Sequence, residues 1–550
     1  MRKAPLLSLL FSTMSVGLAA ACSSDATQPP RAVPDAATTS TSPPSATTTP
    51  DAAVPVADAA LPIETTFAVA APLRDFAESR RLLRAVVSDG DGLAKVYYTV
   101  NGGAPVDVAV PAQAKRVTVA AALPLVPGPN TVKLVAVDSR GIETANEIPF
   151  RFGLVAAAGG SHSGAVVNGK AYVFGRNNVG QLGLGVTDPS IASATPLVTF
   201  GNPATPTPPV PASLAFNQNI SVLVSDRGAV WTWGENTNGE LGLGDSGVDT
   251  RRNVPSAIAS LADAAIAATG FGHVVVVKKD GSLVSWGKND VGQVGVPGDG
   301  TATDKQVTPI AVASPPADVV KVIAGSAHTA ALTASGTVFV WGRNRYGNLG
   351  GGTTDEMRHP VPTAVPGLTD VVDIANGRDH IVAVKADGSV VSWGLGASGQ
   401  LGTGSPNGDD RTAPGPVVTD EAATKPLADI TLVFANGNTS FALSRTGALW
   451  GFGEDGNGTL AQGGAGGDGA KANKVLFAVR AGVFSTPGGT PEYLDQRLKY
   501  RSIAVGALHV IAWTDKNELY SWGWNTQGTL GIADFPAIWR QPTPVVVKLP

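Results

Sequence analysis

The chain has 550 residues, of which 66 are Gly, 41 are Pro and only 15% are charged, a composition typical of a turn-rich, all-β protein with more than one domain. Its formal net charge of −4 and the lack of a basic cluster argue against nucleic-acid binding, which needs dense Lys and Arg against phosphate. One Cys and three Met leave neither a thiolate metal site nor a disulfide framework, and we expect no metal ion and no cofactor.

The N-terminal segment has the pattern of an export signal. Two basic residues precede an apolar run from residue 6 to 18, and three alanines lead to the only cysteine, Cys22. This pattern resembles a bacterial lipoprotein signal at residues 1–21, although Ala19 stands where such signals usually have Leu. The resemblance implies a lipid anchor on Cys22 as the only membrane contact. Because Ser23 is not the Asp that retains lipoproteins in the inner membrane, we expect the outer membrane or the cell surface. The alternative is ordinary secretion with an incidental cysteine.

Two further segments precede the repeats. Residues 22–62 are mostly Ser, Thr, Pro, Ala and Asp and predict a disordered tether, because they cannot bury enough apolar surface to offset their ordering entropy. Residues 63–153 contain alternating strand patterns separated by Gly- and Pro-rich turns. This segment resembles bacterial immunoglobulin-like domains, which implies a small β-sandwich that serves as a spacer or an adhesion module. Within it, Asp89 and Asp91 alternate with glycines, and we prefer a turn to a calcium site.

From residue 154 to 550 the chain repeats one unit seven times. Each unit contains two β-rich runs joined by a turn, an aromatic–Gly pair, a loop that in most copies ends in Gly-x-Leu-Gly, and a Pro-containing strand. The aromatic–Gly pairs recur at intervals of 52 to 70 residues and begin at Phe174, Trp233, Trp286, Trp341, Trp393, Phe452 and Trp522. A period in this range, with several short strands per unit, predicts a closed array of small sheets.

The copy at residues 325–352, GSAHTAALTASGTVFVWGRNRYGNLGGG, resembles the repeat of the regulator of chromosome condensation family. The resemblance implies a seven-bladed β-propeller over residues 154–550, preceded by the small immunoglobulin-like sandwich. Copies two and six depart from the pattern because they lack the Gly-x-x-His motif. The first copy has no Pro-containing strand directly upstream, so we expect the C-terminal strand at residues 541–547 to complete the first blade and close the ring.

Two sets of recurring side chains invite a functional interpretation but fit a structural one better. Five histidines occupy one position, 12 or 13 residues before the aromatic–Gly pair: His162, His273, His328, His380 and His509. Equivalent atoms in neighbouring blades should lie ~10 Å apart, far beyond a metal–ligand bond of about 2 Å, so we expect these histidines to bind backbone. Five tryptophans at the aromatic–Gly position are expected in the core: Trp233, Trp286, Trp341, Trp393 and Trp522. Trp513, Trp524 and Trp539 lie off that position and are better candidates for exposure.

The sequence contains no nucleophile elbow, no phosphate-binding loop and no clustered carboxylates, which favours a protein that is not an enzyme. We predict a monomeric protein-binding scaffold at the bacterial cell envelope or surface, whose partner is an unknown protein or envelope macromolecule. Aromatic and charged residues outside the regular pattern are the candidate contacts and are predicted to form one binding face: Arg343, Arg345, Tyr346, Tyr493, Arg497, Tyr500 and Trp524. Two alternatives follow from the family resemblance. One is an inhibitor of a secreted or periplasmic enzyme, and the other is a guanine-nucleotide exchange factor, which export would separate from its GTPase.

Overall fold

The computed structural model describes residues 65–69, 82–123, 128–152, 155–197, 209–462, 474–485, 490–532 and 538–550, all of which belong to the unit Pro62–Pro550. In these ranges the chain is all-β, with 37 strands and two single-turn 3₁₀ helices, Val248–Thr250 and Leu494–Gln496. No helix in these ranges has the length and apolar character needed to cross a membrane. The predicted signal segment, Cys22 and the predicted tether lie outside the described residues.

The strands described before residue 153 form a two-sheet antiparallel sandwich. They are β1 (Thr66–Val69), β2 (Leu82–Ser88), β3 (Leu93–Val100), β4 (Val106–Val108), β5 (Arg116–Ala122), β6 (Gly128–Asp138) and β7 (Glu143–Phe152). One sheet has the order β1-β2-β5 and the other β4-β3-β6-β7. The sheets share one apolar core, in which Leu83 and Val87 of β2 are grouped with Val132 and Leu134 of β6. Since β4 pairs with β3, the order differs from a constant-type immunoglobulin domain, where the fourth strand joins the first sheet. The immunoglobulin-like assignment stays a prediction.

Seven further four-stranded antiparallel sheets are described, one for each sequence repeat. Blades one and two consist of β8 (Val155–Ala158), β9 (His162–Val167), β10 (Lys170–Arg176) and β11 (Ser190–Pro196), then β12 (Pro211–Asn217), β13 (Ile220–Ser225), β14 (Val230–Gly234) and β15 (Arg252–Ala257). Blades three and four consist of β16 (Ala264–Thr269), β17 (His273–Lys278), β18 (Leu283–Lys288) and β19 (Lys305–Ala311), then β20 (Val319–Ala324), β21 (His328–Thr333), β22 (Val338–Asn344) and β23 (Asp355–Ala364).

The remaining three blades have the same strand order. Blades five and six consist of β24 (Val371–Asn376), β25 (His380–Lys385), β26 (Val390–Gly394) and β27 (Arg411–Pro416), then β28 (Ile430–Asn436), β29 (Thr439–Ser444), β30 (Leu449–Glu454) and β31 (Lys474–Arg480). A short hairpin follows, β32 (Val483–Ser485) and β33 (Glu492–Tyr493). Blade seven consists of β34 (Tyr500–Val505), β35 (His509–Thr514), β36 (Leu519–Trp524) and β37 (Arg540–Val547).

The first strands of the blades are innermost and contact one another in turn, from β8 to β12 and onward to β34, which contacts β8 again. Seven sheets arranged in this way around one axis form a β-propeller. Because strands alternate in direction within a blade, the turns after the first and third strands lie on one face of the ring. We call it the upper face, and the face with the turns after the second and fourth strands the lower face. The Gly-x-x-His turns and the Gly-x-Leu-Gly loops therefore lie on the upper face.

The aromatic residue of each aromatic–Gly pair is fully buried between its own blade and the preceding one. Trp341 of blade four, for example, belongs to an apolar cluster with Val275 and Val277 of blade three. The glycine that follows it, Gly342, has a φ of 101°, and a Cβ there would come within 2.5 Å of the Ala327 carbonyl oxygen. Glycine is needed at this position because the third strand passes directly against the upper-face turn.

The C-terminal strand completes the last blade, so the expectation that residues 541–547 complete the first blade is wrong. β37 pairs with β36, with Val545 opposite Ser521. The first blade has its own Pro-containing outer strand, β11, which follows the aromatic–Gly pair as in the other repeats. The ring closes by packing of blade seven against blade one, where the Trp513 indole donates a hydrogen bond to the Val155 carbonyl at 3.0 Å.

Candidate functional site

The five recurrent histidines begin the second strand of their blades and are buried beneath the upper face. In four of them, Nε2 lies within hydrogen-bonding distance of a hydroxyl on the next blade around the ring: His162 and Ser221 (2.9 Å), His273 and Thr329 (2.8 Å), His380 and Ser440 (2.8 Å), and His509 and Ser163 (2.7 Å). The glycine of Gly-x-x-His makes room for the ring, since a Cβ on Gly377 would come 2.0 Å from Cε1 of His380. The motif thus delivers an imidazole to the blade interface.

Each of these four hydroxyls also donates to a backbone carbonyl in the Gly-x-Leu-Gly loop of the preceding blade: Ser221 to Gln181 (2.8 Å), Thr329 to Gln293 (2.8 Å), Ser440 to Gln400 (2.9 Å) and Ser163 to Thr529 (2.8 Å). A serine or threonine hydroxyl has one proton to donate, so it must accept at the histidine. The Nε2 atom of each of these histidines therefore carries the imidazole proton. The tautomer follows from the hydrogen-bond network.

The same loop position accepts a hydrogen bond from the tryptophan of the next blade. The indole nitrogens donate as follows: Trp233 to Gln181 (2.8 Å), Trp286 to Glu240 (2.7 Å), Trp341 to Gln293 (3.0 Å), Trp393 to Asn348 (3.0 Å) and Trp522 to Thr459 (2.7 Å). Phe174 and Phe452, which replace Trp in blades one and six, have no donor. One carbonyl per interface thus collects up to two side-chain donors from the neighbouring blade.

Two blades lack the histidine, and in both cases the following blade lacks the hydroxyl. Blade two has Ile220 at the histidine position, and blade three has Val274 at the hydroxyl position. Blade six has Thr439 at the histidine position, and blade seven has Val510 at the hydroxyl position. A buried hydroxyl or imidazole left without its partner would cost about 1–3 kcal/mol, which accounts for the joint replacement.

Blade four is the exception, because His328 meets a blade whose hydroxyl position is occupied by Ile381. Neither ring nitrogen of His328 has a hydrogen-bond partner, although the side chain is fully buried. Burial lowers the pKa of the His328 imidazole, Asp379 raises this pKa and Arg343 lowers it further. The effects of Asp379 and Arg343 are both smaller than that of burial. The Ser326 hydroxyl donates to Asp379 and not to the histidine. This Ser, His and Asp therefore do not form a nucleophile–base relay.

Burial holds the pKa of all five histidines well below the usual value of 6.5. The pKa is lowered to about 3 for His162, His273 and His380, and to about 4 for His328 and His509. The cause is the dry blade interface, which penalises the imidazolium form. Neighbouring histidines add a smaller effect, that of His509 on His162 for example. All five are neutral at pH 7 and supply no general base poised near that pH.

The acidic turn of the sandwich brings three carboxylates together. Oxygens of Asp89, Asp91 and Asp138 lie within 4.8 Å of one another. The Arg140 guanidinium is bound among them, 3.0 Å from Asp91 and 2.7 Å from Asp138. Asp89 accepts the Asp91 amide at 2.8 Å, a bond that closes the turn. The geometry is that of a turn in which Arg140 offsets part of the negative charge.

Four of the predicted partner contacts lie on the upper face. Arg343 is at the end of β22, and its buried Nε has no hydrogen-bond partner. In the following loop, the guanidinium carbon of Arg345 lies 5.4 Å from the centre of the Tyr346 ring. Trp524 ends the third strand of blade seven. The first three residues form a compact group on blade four.

Two further predicted contacts, Tyr493 and Arg497, lie on the lower face, so the prediction of one binding face is wrong. Tyr493 and Arg497 follow the fourth strand of blade six, which places them opposite the blade-four residues. Both have local partners: the guanidinium carbon of Arg480 lies 4.3 Å from the centre of the Tyr493 ring, and Arg497 forms a bidentate pair with Glu492 at 2.6 and 2.7 Å.

Tyr500 is 4% exposed and packs in the apolar cluster of blades six and seven, so its assignment as a partner contact is wrong. Burial raises the pKa of its hydroxyl. Trp513, named as a better candidate for exposure than the core tryptophans, is 1% exposed because it fills the interface that closes the ring. Trp539 is 53% exposed, and Trp524 is half-buried. The aromatic content of the last repeat thus divides between core and surface.

The residues missed by the sequence interpretation are the hydroxyl partners of the histidines. They directly follow the histidine position of their own repeat: Ser163, Ser221, Thr329 and Ser440. The signal lies in neighbouring copies, since these hydroxyls occur only in repeats that follow a copy with His. A comparison between successive repeats would have revealed it.

Comparison with known proteins bears on the same region. A family model for the RCC1-like domain matches residues 254–549, and one for the regulator of chromosome condensation (RCC1) repeat matches residues 227–277. The chain belongs to the RCC1-like family. The regulator of chromosome condensation of Xenopus laevis is 28% identical over 327 residues, which cover 58% of this chain and 72% of the relative. The ultraviolet-B receptor UVR8 of Arabidopsis thaliana is 32% identical over 251 residues, which cover 45% of this chain and 54% of the receptor.

A third relative, the human E3 ubiquitin-protein ligase HERC2, is 28% identical over 380 residues, which are 68% of this RCC1-like chain but 7% of HERC2. Solved structures share the fold. Prp20p of Saccharomyces cerevisiae has a TM-score of 0.56 at 21% identity, covering 72% of this chain and 88% of its own. Human WBSCR16 has a TM-score of 0.54 at 19% identity, and the match covers 69% of this chain and 95% of WBSCR16. The predicted propeller is confirmed.

Substitution of Ile381 by Thr should stabilise the propeller by about 1 kcal/mol, because the new hydroxyl can accept from His328 and donate to the Asn348 carbonyl. Urea denaturation of wild type, I381T, H328A and the double variant measures the coupling. The matched control is Val274→Thr in blade three. The preceding blade has Ile220 at the histidine position, so the new hydroxyl finds no imidazole and the control should lose stability. A gain that persists without His328, or an equal gain in the control, would contradict the proposed bond.

Stability should fall steeply as the pH drops from about 6.5 to about 4. The unfolded chain protonates its histidines near pH 6.5, whereas the folded ones stay neutral down to a pKa of about 4 or 3, so the unfolded state binds more protons. Asp455 has the opposite effect. Burial raises its pKa to about 6, so the folded state binds one proton here that the unfolded state does not. Unfolding therefore takes up about four protons in this range. The free energy of unfolding falls by roughly 5 kcal/mol for each pH unit that the pH is lowered.

The urea midpoint measured across this pH range tests the effect. His380→Gln should lower the pH slope by one proton while it keeps a donor toward Ser440. A urea midpoint that stays the same from about pH 7 to about pH 5 would contradict the predicted loss of stability.

Proposed function

We propose that the propeller is a non-catalytic protein-binding scaffold that binds through its upper face. The five recurrent histidines and their hydroxyl partners are buried in blade interfaces, where the hydrogen bonds of four of them join one blade to the next. The relatives are a regulator of chromosome condensation, a photoreceptor and a ubiquitin ligase. Since proteins with three different roles are similar to this chain, its function must be argued from its own surface.

The observation that carries the proposal is the group on blade four, which we call the blade-four patch: Arg343, Arg345 and Tyr346. Arginine and tyrosine are enriched among residues that dominate binding energy in protein interfaces. The Nε of Arg343 has no acceptor, and Arg345 makes only a 3.5 Å contact with Glu356, which is 72% exposed. Exposed pairs of this kind contribute little to folding.

The chemistry of the patch favours an acidic partner. A guanidinium binds a carboxylate through two parallel hydrogen bonds, and such charge-assisted bonds are stronger than neutral ones. An Asp or Glu side chain of the partner would bind the guanidinium of Arg345, whose side chain is 55% exposed. The Tyr346 ring, with Arg345 beside it, adds apolar contact area at low entropic cost. The proposed ligand is therefore a protein surface with carboxylates next to an apolar side chain.

Combined replacement of Arg343, Arg345 and Tyr346 by Ala should weaken partner binding by more than about tenfold. The partner is captured from envelope fractions by cross-linking to the full-length protein, and its affinity is then measured in purified form. The matched control is Arg497→Ala, which removes one arginine and one ion pair on the lower face. Equal affinity of the triple variant and wild type, or an equal loss in the control, would reject the upper-face patch.

We also propose that the protein is exported and anchored to the bacterial envelope by a lipid on Cys22. The support is the sequence pattern before residue 22 and the polar stretch that ends at residue 62. A stretch of ~40 coil residues would span roughly 35 Å, enough to hold the folded part clear of a membrane. The binding partner would then be an envelope or surface protein.

Labelling of cells with radioactive palmitate should mark the wild-type protein and leave Cys22→Ser unlabelled. The test is unambiguous because the chain has one Cys and therefore no second thiol for acylation. Fractionation of the same cells gives the location independently. Label in the variant, or wild-type protein in the cytoplasmic fraction, would refute the anchor.

A further inference from the structure

Blade seven carries a pair of tryptophans at the upper, outer edge of the ring. Trp539 precedes the outer strand β37 and is 53% exposed, more than any other aromatic side chain among the described residues. Its ring centre lies 5.7 Å from that of Trp524, and the ring planes are 82° apart. The two indoles form an open corner. About half of the Trp539 side chain thus remains in contact with water.

The corner is held rigidly by the loop before it. The Asn525 amide donates to the Trp539 carbonyl at 2.8 Å, and its Nδ2 donates to the Ile538 carbonyl at 2.8 Å. Asn525 itself is fully buried. The Trp524 indole donates to the Thr526 hydroxyl. These bonds fix the Trp524 ring and the backbone at Trp539, which lowers the entropic cost of binding a ligand.

The described loop after Trp524 is polar and uncharged, and one cation, Arg540, packs on Trp539. Residues 525–532 include no Asp, Glu, Lys or Arg. Thr526 and Gln527, both half-buried, place a hydroxyl and a planar amide on this loop. The nearest cation, Arg540, lies with its guanidinium carbon 5.2 Å from the Trp539 ring centre, and its Nη1 donates to the Gly456 carbonyl at 3.3 Å. This arginine thus supports the indole and is tied to blade six.

We propose that Trp539 and Trp524 form a binding site for one neutral pyranose unit of a glycan. One face of a pyranose presents polarised C–H groups, which complement the negative face of an indole ring. Its edge presents hydroxyls, which complement hydroxyl and amide side chains such as Thr526 and Gln527. Two indoles at a right angle contact the face and the edge of the same sugar ring.

The same surroundings disfavour other occupants. A protein hot spot combines an aromatic anchor with a wide, well-packed rim. Insertion into a membrane needs a broad apolar face flanked by basic residues, whereas the loop beside the indoles is polar. The site is also three blades away from the blade-four patch. The proposal therefore does not depend on the proposed protein partner.

Isothermal titration of the full-length protein with chitotetraose, cellotetraose and maltotetraose tests the site. We expect saturable binding of at least one of these sugars, with a change in tryptophan fluorescence. Trp539→Ala should weaken it by more than about tenfold, and Trp539→Phe, which keeps a smaller ring, by less. The matched control is Met357→Ala on the outer strand of blade four. Met357 is 69% exposed, so the control removes an equally accessible apolar side chain and should bind like wild type.

Three results would overturn the proposal. The first is no saturable binding of any of the three sugars to wild type. The second is equal sugar binding by wild type and Trp539→Ala. The third is a loss of the captured protein partner in Trp539→Ala without any sugar binding, which would make the corner a protein contact. Failure of the blade-four variants to affect partner binding bears on the protein-binding proposal alone.

Discussion

One buried backbone carbonyl in the Gly-x-Leu-Gly loop of each blade organises the propeller. A carbonyl enclosed in an apolar interface must be hydrogen-bonded, since an unpaired buried group costs about as much as a lost hydrogen bond. The next blade satisfies it with an indole in five interfaces and with a hydroxyl, to which a histidine donates in turn, in four. Two of the seven interfaces have both donors. Apolar packing supplies most of the free energy but has no direction. These bonds therefore set how far each blade is rotated against its neighbour.

The repeat period was enough to predict the blades, because each blade is built from local pairings of consecutive strands. The assignment of the C-terminal strand went wrong because a Pro-containing edge strand has the same composition whether it follows its own repeat or completes another. Only the register of β10 with β11 shows that the first blade is already complete.

Side-chain exposure in the last repeats was harder to predict for a different reason. Tyr500 and Trp513 lie on inner strands, where burial depends on which neighbouring blade the side chain meets. Alternation along one strand does not contain this information. The division of the partner contacts between two faces, by contrast, follows from strand direction. Counting strands from the start of each repeat would have placed Arg497 on the lower face.

Each blade, including the seventh, is formed by one continuous stretch of chain. The interface between blades seven and one uses the same kinds of contact as the other interfaces, an imidazole, a hydroxyl and a buried aromatic ring. No blade depends on a strand borrowed from a distant part of the sequence. The ring could therefore be circularly permuted, with new ends at a lower-face connection, without unpairing any sheet. Domains could be added at those connections for the same reason, as the sandwich is added before Val155.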